Sequence, residues 1–335
     1  ALSAALLDAD MRWGVVESPP AGSHPDVVQA LAAIYRDRDH DALMVMGGGA
    51  LTDLAKLVNV AVSTGQDDPD FLADGYTIEE RLQPMVLIAQ AQALGFETSG
   101  WVRTGQAKFC SLHLMPDLAV VDARTVGSPE ANAMIDTGLV ALAVGTENLL
   151  GAEYNPMATI YATNAVQAAM VTLQSITGGS DKAFPNMQAA NAAVMAGCAL
   201  ADRMPGELIQ LGYHLAATDR VLFPAVLGGL LPAAAKTRIQ DRDLVAESLL
   251  TALLGINRSA STPRQQRPLH VIATLAALAN DLYDFSEGFI SRTLHEAGFA
   301  PDELPALAES FVKTVKGADL DAVKAILQGA LNGDL

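Results

Sequence analysis

Three consecutive glycines, Gly47, Gly48 and Gly49, followed by Ala50 and then by Asp53 and Lys56 at helical spacing, form the stretch of this chain with the clearest chemical promise. The apolar run "ALMVM" (42–46) precedes them with the length of a strand, and "LTDLAKLVNVAVS" (51–63) follows with helical periodicity. A strand ending at Met46, a glycine turn and a helix starting near Leu51 would bring backbone N–H groups and the positive end of a helix dipole to one point. That geometry suits a pyrophosphate. The pattern is not GxGxxG, and a tight turn with no ligand is the competing reading of the glycines taken alone. No Ser-His-Asp, Cys-His or paired-carboxylate constellation stands out elsewhere. The two cysteines, Cys110 and Cys198, sit in no CxxC pattern and read as reduced, buried thiols.

The elements that must position this loop alternate up to about residue 125. Strands are expected at "WGVVE" (13–17), "ALMVM" (42–46), "PMVLIAQ" (84–90) and "DLAVVDA" (117–123), and helices at 24–38 and 51–63. The segment 101–111 reads as a hairpin about Thr104 and Gly105. Such alternation predicts a parallel sheet with helices on its faces. Beyond "SPE" (128–130) the Ala-, Leu- and Met-rich segments have helical periodicity only, which places a boundary near residue 127. The expectation is an α/β nucleotide-binding domain over 1–127 and an all-helical domain over 128–335.

Composition narrows the function. At 335 residues the chain has room for two domains, and with half its residues hydrophobic it can pack them well. With 38 acidic against 21 basic residues and a net charge of -17, it is a poor ligand for nucleic acid, which is bound by Lys and Arg displacing counterions. Apolar windows such as "NAAVMAGCALA" (191–201) fall short of the ~20 residues of a membrane span. The opening "ALSAALLDADMRW" has no basic residues before its apolar run, unlike a signal peptide. No membrane association is expected, and a cytoplasmic location is.

"GGGALTDLAK" resembles the GGGSxxDxxK motif of the iron-containing alcohol dehydrogenases, a family that includes the glycerol dehydrogenases and lies close to the dehydroquinate synthases. "KFCSLHLMPDLAVVDARTV" (108–126) is similar to that family's Lys followed by a strand. "TGLVALAVGTENLLGAEYNPMA" (137–158) is similar to its "tGlDAlaHaiEay" helix, and "LHEAGFAPDELPALAE" (294–309) to its C-terminal helices. The resemblance spans nearly the whole chain. It implies a dehydroquinate synthase-like fold, with NAD or NADP and a divalent metal between the two domains. It also implies cofactor contacts from Gly47, Gly48, Gly49, Ala50, Asp53, Gly95 and Lys108.

The same resemblance locates departures. The family holds its metal with an Asp and three His residues. Thr137, Gly138, Ala141, Leu142, Ala143 and Glu147 fix the register of the first helix and put Val140 and Val144 at the first two ligand positions. Counting back from Leu231 and Pro232 puts Phe223 and Ile209 at the others. None of the four can ligate, so no metal is expected. His214 is the one nearby residue that a small shift of alignment would bring to a ligand position. Asp136 and Glu147, roughly 16 Å apart along one helix, are too distant to share an ion. The family's "PTTaGTGSE" loop falls on "AQAQALGFE" (89–97), which keeps Gly95 and Glu97, loses the hydroxyls and gains Phe96. Two readings stand. One is an NAD(P)-linked oxidoreductase working without metal, for which Lys108, His214 and Tyr213 are the nameable acids. The other is a non-catalytic member with a residual phosphate site, forming oligomers with itself or with an active relative.

Overall fold

A computed structural model describes residues 2–17, 25–66, 77–91, 93–104, 107–127, 130–151, 155–178, 185–201, 203–239 and 243–333. A short helix α1 (Leu2–Asp8) buries none of its residues. Helix α2 (Pro25–Asp37) buries Val28, Ala32 and Tyr35, one face at steps of four and three. It packs on α3 (Ala50–Thr64), which presents Leu54, Leu57, Val58 and Ala61 and stops at Gly65, whose φ of 75° supplies the left-handed cap.

Strands β1 (Leu43–Met46), β2 (Met85–Ile88) and β5 (Leu118–Val120) form a parallel sheet in the order β1-β2-β5. Leu43 is in register with Met85, and Val86 with Leu118. Side chains alternate across a strand. Val45, Met85 and Leu87 therefore face α3 together with Leu51 and Ala55. Met44, Met46 and Leu118 point to the opposite side and are 43%, 43% and 54% exposed. A correction concerns "WGVVE". Residues 13–17 are exposed and form no strand, because β-favouring side chains make a strand only where a neighbouring backbone completes the ladder. The expected hairpin is present as β3 (Trp101–Thr104) and β4 (Ala107–Cys110), antiparallel, with its turn at 105–106 outside the described residues.

From Ala131 onward the described residues contain helices and turns without strands. Helix α4 (Ala131–Leu150) is the axis of this part and packs on α5 (Pro156–Thr177) and α6 (Pro185–Leu200). Around them lie α7 (Glu207–Ala216), α8 (Phe223–Ile239), α9 (Asp243–Leu254), α10 (Ile256–Ser261), α11 (Arg267–Phe285), α12 (Leu304–Thr314) and α13 (Leu320–Asn332). Contrary to the reading of its apolar windows, one helix among the described residues is long and apolar enough to cross a membrane. It is the 20-residue α4, in which an 18-residue window has a mean hydropathy of 1.3 despite Asp136 and Glu147, and 78% of that window is buried inside the fold. Its apolar character is used in packing: Ile135, Leu139, Val140, Leu142 and Val144 all lie in the largest core. Phe96 and Trp101, from the strand-bearing half, belong to that same core.

Candidate functional site

The glycine loop is built around two close approaches. Gly49 has φ 58° and ψ −129°, a conformation that favours glycine, and its carbonyl accepts from the N–H groups of Thr52 and Asp53 to start α3. A Cβ on Gly48 would come within 2.6 Å of Ala93 Cα and 2.9 Å of Glu97 Oε1. The second glycine is thus required by the neighbouring loop, ligand or no ligand. Gly47 N–H donates to Ile88 O at 3.4 Å. Gly49 N–H donates to Glu97 Oε1 at 2.8 Å, and Leu94 N–H donates to the same oxygen at 2.6 Å. Ala50 begins α3, and Gly95, at φ 81°, seats its loop against Ala196.

Lys56, counted above with the phosphate loop, is employed otherwise. Its ammonium is buried and donates to three carbonyls, Phe96 O at 2.9 Å, Ser99 O at 2.7 Å and Trp101 O at 2.9 Å. It tethers α3 to the 96–101 segment, and burial pushes its pKa down to about 8 against the support of Asp53 and Glu97. Burial likewise pushes Asp53 up to about 7, opposed by Lys56 and Arg103 and assisted by Glu97. Lys108 stands opposite Arg103 in the hairpin ladder, and its side chain lies outside the described residues.

Facing this cluster is an aromatic group. Tyr213 of α7 stacks on Phe223 of α8 with ring centroids 3.7 Å apart and planes 10° apart. Phe96 and Trp101 meet edge to face at 4.7 Å, and both approach Tyr213, at 6.3 and 5.7 Å. Arg103 Cζ lies 4.2 Å from the centre of the Tyr213 ring. Burial raises the Tyr213 phenol well above its ordinary value, against the pull of Arg103. The four positions that the sequence reading sets at the metal ligands are in the same core: Val140, Val144 and Ile209 are at most 1% exposed and Phe223 is 7% exposed. His214 packs edge-on against Phe311 of α12, at 5.5 Å, while its neighbour Tyr213 faces Phe223. Among the described residues no three His, Cys, Asp or Glu side chains gather as a metal group would require. Glu147 sits at the start of α7, where its Oε1 accepts from Leu208 N–H at 2.6 Å and lies 3.6 Å from Arg238. Asp136, pushed up to about 6 by burial, keeps an unpartnered Oδ1 elsewhere on α4. A surface cavity of about 240 Å³, lined by Arg81, Gln83, His113 and Asp117 among others, shares no residue with this cluster.

Residues 1–123 match the family described as iron-containing alcohol dehydrogenase. Long-chain-alcohol dehydrogenase 1 of Geobacillus thermodenitrificans (strain NG80-2) is 26% identical over 229 residues, 64% of this chain and 57% of the relative. The family match thus covers the strand-bearing first part of the chain. The 4-hydroxybutyrate dehydrogenase of Cupriavidus necator is 28% identical over 238 residues, 65% of this chain and 62% of that protein. The chain thus aligns with less than two thirds of the length of either relative. Among solved structures, a 1,3-propanediol oxidoreductase superimposes with a TM-score of 0.80 at 19% identity, over 97% of this chain and 86% of that one. An alcohol dehydrogenase from Oenococcus oeni gives 0.79, also at 19% identity, over 98% and 86%. At such identity these two speak for the fold, and they agree with the dehydroquinate synthase-like arrangement expected from the sequence.

The structure brings Gly47, Gly48, Gly49, Ala50, Asp53 and Gly95 into one neighbourhood. It sets His214 apart from them, on the Phe311 side of α7. Sequence reasoning missed the roles of three contributors: Glu97 and Lys56 were noted only as surviving motif residues, and Arg103 was unremarked. An arginine directly after the buried Trp101 and Val102 was the available signal for the last of these.

Proposed function

We propose that this chain is a family member in which metal-dependent hydride transfer has been lost, a non-catalytic subunit that retains the fold and a residual nucleotide site. One observation carries the reading. The four positions that correspond to metal ligands hold Val140, Val144, Ile209 and Phe223, buried in one apolar core whose aromatic edge is Phe96, Trp101 and Tyr213. An iron or zinc ion does not fit such a set, because hydrocarbon offers no donor atom and would not replace the ion's hydration shell. In this family the ion supplies polarisation of the carbonyl or alcohol oxygen. Two of the three side chains named for that role are otherwise engaged: His214 lies against Phe311, and Tyr213 is stacked on Phe223 and held protonated by burial, while the Lys108 side chain lies outside the described residues. Replacing polar ligands by apolar ones also removes the penalty of burying unpaired carboxylate and imidazole groups. We place the subunit in the cytoplasm, assembled with further copies or with an active relative, and take NAD or NADP as the ligand class of the residual site.

The test is elemental analysis of protein produced in medium supplemented with iron and zinc, together with NAD(P)-linked assays on 1,3-propanediol, 4-hydroxybutyrate and long-chain alcohols. Metal far below one ion per chain and no turnover above background are expected. About one tightly held divalent ion per chain, lost on His214→Ala, or metal-dependent turnover of any of these alcohols, would overturn the reading.

A further inference from the structure

Helix α5 packs Ala162, Ala165, Val166, Ala169 and Leu173 into the core it shares with α4 and α6, and presents its other side to solvent. That outer side is not built like an ordinary solvated helix face, which carries charged residues. Met157, Ile160 and Val171 on it are 59%, 54% and 41% exposed, and Asn164, Gln167 and Gln174 are exposed as well. None of the 22 residues of the helix is charged, on a chain whose net charge is -17.

The six exposed positions are regularly spaced. Met157, Asn164 and Val171 are seven residues apart, as are Ile160, Gln167 and Gln174, and the two sets alternate at steps of three and four. This is the ~3.5-residue repeat of a seam between two helices. The seam also matches its own reverse about a centre between Ala165 and Val166. Turning it end for end sets Asn164 against Gln167, Ile160 against Val171 and Met157 against Gln174. Amide then meets amide at the middle, hydrocarbon meets hydrocarbon on either side, and a methionine lies along the stem of a glutamine at each end. Asn164 Nδ2 donates to Ile160 O of its own helix at 2.8 Å, which leaves its side-chain oxygen to accept from the Gln167 amide opposite.

We propose that the outer face of α5 is the contact between two copies of this chain, with the two α5 helices antiparallel across a twofold axis that passes between Ala165 and Val166. A twofold contact must be self-complementary, each residue meeting on the other copy the residue that meets it, and the three pairs satisfy that condition. Electrostatics favours a second copy too. Like charges facing each other oppose association, and an uncharged helix is where two chains of net charge -17 can approach without that penalty. A membrane surface suits the face less well, because its middle is a pair of amides and the helix has no Lys or Arg to meet lipid headgroups. One helix seam covers less than the roughly 800 Å² per partner of a standard interface, so the dimer is reversible and concentration-dependent. The inference names the surface for the assembly of copies proposed above and rests on that part of the reading, not on the loss of hydride transfer.

The test is sedimentation of the full chain over a concentration series, for the wild type and for Ile160→Glu, with circular dichroism as the check of folding. Ile160 lies on the surface, so the variant should fold as the wild type does. Its self-association should weaken at least tenfold, because a carboxylate would face Val171 of the second copy. The register is read by oxidising a double variant, Ile160→Cys with Val171→Cys. Within one chain these positions are ~16 Å apart along the helix, too far to bond to each other. In the antiparallel dimer each faces the other, so a disulfide-linked dimer should form in the double variant and far less in either single variant or in the wild type, which keeps Cys110 and Cys198. If Ile160→Glu does not fold, the oxidation decides alone. A wild type that stays monomeric at every concentration removes the inference together with the assembly of copies. A dimer that Ile160→Glu leaves unchanged, or a double variant that cross-links no more than the single ones, overturns the inference and leaves that assembly to another surface. None of these outcomes alters the metal and turnover measurements that test the loss of hydride transfer.

Discussion

The removal of one ring, Phe223→Ala, probes whether the space between α7 and α8 is closed in the way the aromatic contacts indicate. Phe223 is 7% exposed, stacks on Tyr213 at 3.7 Å and lies 6.5 Å from Phe96. Truncating a buried phenylalanine costs about 3 to 5 kcal/mol from lost transfer energy and the residual cavity. The stack on Tyr213 adds roughly 0.5 to 1.5 kcal/mol beyond area. Relaxation is restricted, because α7 packs so closely that a Cβ on Gly212 would come within 3.0 Å of the Phe223 ring, and Arg103 lies over the Tyr213 ring. A loss of about 4 to 6 kcal/mol is therefore expected in urea-induced unfolding followed by circular dichroism. The cavity left behind would be lined by aromatic and aliphatic groups, so benzene should bind it and recover part of the loss. A cost below about 1.5 kcal/mol with no response to benzene would mean that the ring does not fill a closed site, and the proposal of a lost metal cleft would fall with it.

Lys56→Met removes the donor shared by the Phe96, Ser99 and Trp101 carbonyls and should cost about 3 to 5 kcal/mol, since it breaks a buried charged network on one side only; a thermal midpoint equal to wild type would refute the tether. Asp53→Asn tests the pH dependence. The carboxyl's folded pKa of about 7 stands above its ordinary value of 3.8, so its contribution is fully present at low pH and is lost as pH rises through 7. The stability of Asp53→Asn relative to wild type should therefore increase between pH 4 and 7, and denaturant titrations giving a constant difference would contradict it. The double variant Val140→Asp with Val144→His should lose stability, bind no zinc and oxidise no alcohol, because it supplies fewer ligands than an ion needs. A double variant that folds normally and turns over a small alcohol with NAD would show an open cleft and an intact cofactor position.

Sequence alone was enough for several elements. The apolar run 42–46, the glycines after it and the periodic 51–63 specified β1, the turn and α3 because strand length, glycine and helical period are local properties. The apolar character of Val140, Val144, Ile209 and Phe223 was likewise legible, and all four lie in one core. The tertiary structure alone decided the fates of the charged residues. Lys56 read as part of the glycine-loop motif and Glu97 as a residue kept from a second loop, yet one donates to carbonyls some 40 residues away and the other accepts from the Gly49 amide. "WGVVE" has the composition of a strand and forms none, and α4 has the composition of a membrane span and lies in a core. The reason is the same in each case. Backbone conformation responds to neighbours in sequence, whereas the partner of a charge, the mate of a strand and the surroundings of an apolar helix are set by segments that only folding brings near.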